Sequence, residues 1–84
     1  MVPWNVTGLR VLPGRRLELA FADGLCGIVD LSREKLDGVL APLTDDSVFT
    51  LARIENGAVT WPNGIEFAPD AMYDEVLAMQ RAPA

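Results

Sequence analysis

The sequence predicts an α+β domain. The expected architecture is a mainly antiparallel sheet of about five short strands built from β-hairpins, a short middle helix, and one C-terminal helix packed on one face. Three observations carry this reading. Leu17, Leu19 and Phe21 alternate with Arg16, Glu18 and Ala20, the period of two of a half-buried strand. Pro13-Gly14, Asp23-Gly24 and Asn56-Gly57 place turn signals between apolar runs. Met72, Tyr73, Val76, Leu77 and Gln80 follow the i, i+1, i+4, i+5 spacing of one helix face.

A chain of 84 residues is read as one domain, residues 1–84. At that length it buries roughly 60–65% of the surface its unfolded form exposes. Apolar residues make up 50% of the sequence, which supplies a core and leaves apolar surface for a partner or a second copy.

Residues 4–12 read as a first strand, ended by the Pro13-Gly14 turn, where proline presets φ and glycine accepts a positive φ. Residues 15–22 and 25–31 form the next two strands around Asp23-Gly24. A two-residue loop there pairs Phe21 with Cys26 and Leu19 with Ile28, facing those residues to the core. A three-residue loop with a bulge puts Leu25, Val29 and Leu31 there instead, and the sequence leaves both registers open.

Ser32 is a candidate N-cap for a turn or two of helix between 32 and 43, cut short by Gly38 and Pro42. Val39, Leu40 and Leu43 are expected to tuck against the sheet. Thr44-Asp45-Asp46-Ser47 is a polar break with room for one more helical turn, and residues 48–54 resume strand character. Across Asn56-Gly57, Ile54 pairs with Val59 and Ala52 with Trp61 on one face, while Arg53 and Thr60 share the other.

Trp61-Pro62-Asn63-Gly64 ends that strand, and Ile65 and Phe67 flank Glu66 in a short final one. Pro69 suits the first position of the last helix. Asp70, Asp74 and Glu75 sit near its positive end, Arg81 near its negative end, and Pro83 stops it.

The net charge of −5 is unevenly placed. Residues 1–42 hold five bases and five acids, a net of zero. Residues 43–84 hold only Arg53 and Arg81 against seven acids, a net of −5. Such a chain repels a phosphate backbone, so no direct nucleic-acid contact is expected. An acidic face attracts a basic protein, and the plainer reading is ordinary solubility charge. A lone cysteine allows no internal disulfide and fits a reducing compartment. No leader and no membrane-length apolar run is visible, so the expected location is cytoplasmic, with no membrane contact.

There is no histidine, which excludes Ser-His and Cys-His nucleophile pairs and every histidine metal site. No glycine-rich loop matches a phosphate or dinucleotide fingerprint. The expectation is therefore a non-enzyme with no catalytic residues, no cofactor and no metal. Asp45-Asp46 reads as a helix-capping loop, and Asp70 and Asp74 as dipole placement or a partner-facing acidic patch. Cys26 reads as a small core residue, and Asp30 as a cap for the segment at Ser32. Trp61 reads as core or as a lid over the sheet edge, with a binding-surface aromatic as the alternative. Trp4 is expected to be partly exposed.

The order Leu19-x-Phe21-x-Asp23-Gly24, Val29-Asp30-Leu31, Phe49, Trp61-Pro62-Asn63-Gly64, then Ala68-Pro69-Asp70 and Tyr73 resembles the small bacterial domain of unknown function 2442, across about residues 6–74. Met72-Tyr73 stands where members often have Leu-Tyr. The resemblance implies a prokaryotic protein with a compact α+β fold and no established activity. Some longer relatives add a C-terminal helix-turn-helix; this chain ends at Ala84, so DNA binding is not expected to transfer. Relatives often stand beside another small protein in a toxin–antitoxin-like arrangement. Together these readings lead to an expected interaction or regulatory domain, binding itself or a small basic protein. The expected interaction surface comprises Trp61, Asn63, Asp70, Asp74 and Glu75. The alternative is a small-ligand module with its site near Trp61 and Asn63. Homodimerisation through an exposed sheet edge is a separate expectation.

Overall fold

The computed structural model describes residues 2–81; the expected stop at Pro83 lies outside them. Six strands form two three-stranded antiparallel sheets rather than one sheet of about five. The first is β1 (Val6–Leu12), β2 (Arg16–Phe21) and β3 (Cys26–Asp30), with β2 in the middle. The second is β4 (Arg53–Glu55), β5 (Ala58–Thr60) and β6 (Glu66–Phe67), with β5 in the middle.

In the first sheet, Leu17, Leu19 and Phe21 all point into the core, as their alternation requires. The register left open by the sequence is settled by a three-residue loop. Phe21 N–H donates to the Leu25 carbonyl at 2.8 Å, and Gly24 N–H returns to the Phe21 carbonyl at 2.9 Å. Gly24 sits at φ 93°, which a side chain would strain, and the Asp23 carboxylate accepts the Leu25 N–H at 2.9 Å. Leu17 thus opposes Val29, and Val29 and Leu31 are buried. The slip by one residue turns Cys26 to the other face, where it is exposed; it is not the core residue expected.

The middle segment is built from two 3₁₀ turns, Leu31–Arg33 and Gly38–Thr44, then α1 (Asp46–Phe49). Asp30, not Ser32, caps the first turn: its carboxylate accepts the Ser32 N–H at 2.9 Å and the Ser32 hydroxyl at 2.6 Å. Asp45 repeats the device with Ser47, at 2.9 and 2.7 Å. Leu43 is buried and Leu40 partly so, but Val39 is 83% exposed and does not tuck against the sheet. The strand expected over 48–54 is only Arg53–Glu55, because the Asp45 cap starts a helical turn whose Phe49 drops into the core. Arg15, at φ 56° in the β1–β2 turn, holds this segment down. Its guanidinium donates to the carbonyls of Leu43 and Thr44 and pairs with Asp46 at 3.0 Å.

The second sheet opens with the expected hairpin. Asn56 and Gly57 both adopt positive φ, 52° and 78°, as a type I′ turn needs, and Ile54 opposes Val59. Thr60 shares the face away from Val59 yet is only 6% exposed; its hydroxyl donates to Glu55 Oε2 at 3.0 Å. The β5–β6 turn copies the β2–β3 turn. Trp61 N–H donates to Ile65 at 2.9 Å, Gly64 sits at φ 89°, and Asn63 Oδ1 accepts the Ile65 N–H at 3.3 Å. The two sheets meet where Val6 N–H donates to the Gly57 carbonyl at 2.8 Å.

The C-terminal helix, α2 (Pro69–Arg81), lies over the core face of β3. Met72 and Val76 are buried beneath it, and Tyr73 packs edge-on against Phe21 with ring centroids 5.2 Å apart. The Tyr73 hydroxyl donates to Asp23, and the Gln80 amide to the Cys26 carbonyl. Burying a side chain such as Leu17 or Val76 stabilises by about 1.5–3 kcal/mol, so this docking is chiefly apolar.

Candidate interaction surface

Pro69 starts α2 without a lost donor, and Asp70 and Asp74 follow one turn apart. Both are exposed, as is Glu75. The Asp70 carboxylate accepts the Ala71 N–H at 2.9 Å. The ion pairs among the described residues lie elsewhere: Arg10–Glu18, Arg15–Asp46, Lys35–Asp37 and Arg53–Glu55. None of these ion pairs involves the carboxylates of α2.

The structure brings Glu75 to a neighbour that sequence spacing does not nominate. Glu34, just after the first 3₁₀ turn, and Glu75 line the same depression of about 180 Å³ between α2 and the end of β3. Buried Val29, Leu31 and Met72 form its floor, and exposed Ala71 stands at its side. Burial pushes the Glu75 carboxyl above the ordinary glutamate value, and the like charges of Glu34 and Asp30 add to it. The folded state thus holds the Glu75 proton more tightly than the unfolded chain. Glu75 opposes folding above its raised pKa, and that opposition fades as pH falls through it. No local signal marks this juxtaposition, because Glu34 and Glu75 are far apart in the chain. Among the described residues, no group of three or more acidic, cysteine or histidine side chains is placed to hold a metal.

Trp61 does not belong to a surface. It is 1% exposed, stacked at a tilt on Phe49 at 5.8 Å and edge-on to Phe67 at 5.5 Å. Its indole N–H donates to the Phe49 carbonyl at 3.0 Å, so its polar end is also satisfied inside. Asn63 is exposed and lines an open groove of about 590 Å³ with Val39, Leu40, Pro42 and Glu66. Neither Trp61 nor the α2 carboxylates line that groove. A third surface is the outer face of the first sheet, where Cys26 and Ile28 flank the Arg10–Glu18 pair at 3.1 Å. Trp4 is 38% exposed, as expected.

Taken together, these features define a small α+β domain of two antiparallel meanders clasped by one helix, whose outer side is acidic. No helix among the described residues is long and apolar enough to cross a membrane. The family model for a protein of unknown function, DUF2442, matches residues 6–78, and the chain belongs to that family. No curated protein and no solved structure matches it.

Proposed function

We propose that this domain is a non-enzymatic interaction module, the acidic member of a pair with a small basic protein encoded nearby, in a toxin–antitoxin-like arrangement. The observation that supports this reading is the row of exposed carboxylates on α2, Asp70, Asp74 and Glu75, while the ion pairs among the described residues form elsewhere. Fields of one sign steer oppositely charged partners and fix orientation. The ligand-module alternative is weaker, because Trp61 is packed on all sides and leaves no concavity of its own.

The test is affinity capture of the tagged full chain from its native lysate at low and high salt, with mass spectrometry of what is retained, repeated with D70N/D74N/E75Q. A small basic protein lost at high salt and lost with the triple variant supports the reading. A complex indifferent to both overturns it.

A further inference from the structure

We infer that the depression between α2 and the end of β3 is a socket for one lysine or arginine side chain of a partner protein, its apolar floor taking the aliphatic stem and the Glu34 and Glu75 carboxylates taking the cationic head. This rests on the reading of the domain as the acidic member of a protein pair, and it names the contact at the centre of that pairing.

Three observations carry it. The first is size: about 180 Å³ lies below the roughly 300 Å³ at which small-molecule pockets begin. It suits one side chain rather than a cofactor. The second is the layering of its walls. Val29, Leu31 and Met72 at the floor are buried and offer no polar atom of their side chains, whereas Glu34 and Glu75 are exposed. Lysine and arginine have the matching division, an apolar stem below a charged tip. The third is the electrostatic condition of the free domain. Glu75 is partly desolvated beside like charges, so a neutral or anionic occupant would worsen its situation and a cation would relieve it. Among the described residues neither Glu34 nor Glu75 has an ion pair that would have to break first.

The proposal is tested by titrating the full ¹⁵N-labelled chain with N-acetyl-lysine methylamide, N-acetyl-arginine methylamide and the neutral N-acetyl-norleucine methylamide. The expected result is a saturating shift of the Leu31, Ala71, Met72 and Glu75 amides with the two cationic probes and none with norleucine. Removing one rim charge, as Glu34→Gln or Glu75→Gln, weakens the cationic probes about three- to fivefold. Ala71→Leu fills the socket at an exposed helix position without altering any charge, and it abolishes saturation. D70N/D74N leaves binding in place.

Equal response to norleucine overturns the proposal, as does a cationic response that survives Ala71→Leu or none that saturates. A response that survives Ala71→Leu but disappears in D70N/D74N means a diffuse acidic surface: the pair reading stands and the socket falls. Failure of the pair reading shows separately, as a captured complex indifferent to salt and to D70N/D74N/E75Q.

Discussion

Gly27 sits so close under α2 that a Cβ built there lies 2.7 Å from Val76 Cγ1. Val76 is 1% exposed and branched at Cβ, so it has no easy rotamer to escape into. Gly27→Ala is expected to cost about 1–3 kcal/mol by overpacking, measured by urea denaturation. Adding Val76→Ala should recover part of the loss from Gly27→Ala. Strictly additive costs would mean that the contact does not exist. The same scale explains why Trp61 is open to two readings from sequence. A tryptophan beside a Pro-Asn-Gly turn has the composition of a hot spot and of a core residue alike. Only the carbonyl of Phe49, brought over by α1, supplies the buried acceptor that makes the interior placement stable.

At the scale of elements, α2 is held by apolar packing and by polar contacts with the first sheet, the Tyr73 hydroxyl on Asp23 and the Gln80 amide on the Cys26 carbonyl. Of these the Tyr73 hydroxyl bears on a carboxylate. That hydroxyl, and next the Leu25 N–H, keep the Asp23 carboxyl below the usual carboxylate range. A lowered folded pKa contributes stability that is present above the unfolded value near 3.8 and is lost as pH falls through the folded one. Tyr73→Phe should therefore be destabilising at pH 7, with the gap to the wild type narrowing as pH is lowered below about 4. Parallel denaturation curves at pH 7 and pH 3 check this; a gap that does not narrow would place the effect in packing alone. Elements also show where local signals are overruled. Residues 48–54 carry apolar groups that read as strand, but Asp45 accepts from Ser47 and starts α1, and Arg15 pins that turn from across the fold. The Asn56-Gly57 hairpin, by contrast, is legible from Arg53 to Thr60, although the ladder stops short of the expected Ala52–Trp61 pair. Its register follows from two residues with positive φ, a property of the turn itself.

For the whole molecule, one hydrophobic cluster runs through both sheets and α2, from Leu17 and Val29 to Val59, Trp61 and Val76. The Val6–Gly57 hydrogen bond ties the sheets at their margin. The domain should consequently unfold in one step, with far-UV circular dichroism and tryptophan fluorescence giving the same midpoint. Two separated transitions would mean that each meander stands alone. The acidity of residues 43–84 is also legible from composition, yet its concentration around Glu75 is not. Glu34 comes from the neutral half of the chain and reaches Glu75 only because α2 lies back across β3.

The sequence by itself determined the α+β class, the alternating strand β2, the Asn56-Gly57 hairpin and the start of α2, because each depends on neighbours within a few residues. The tertiary structure decided the rest: the register that turned Cys26 outward, the division into two sheets, the burial of Trp61 and the meeting of Glu34 with Glu75. Those depend on contacts between residues distant in the chain. There the burial of Val29 and Leu31 outweighs that of Cys26 and Ile28, and no local pattern records which of the two faces the core receives.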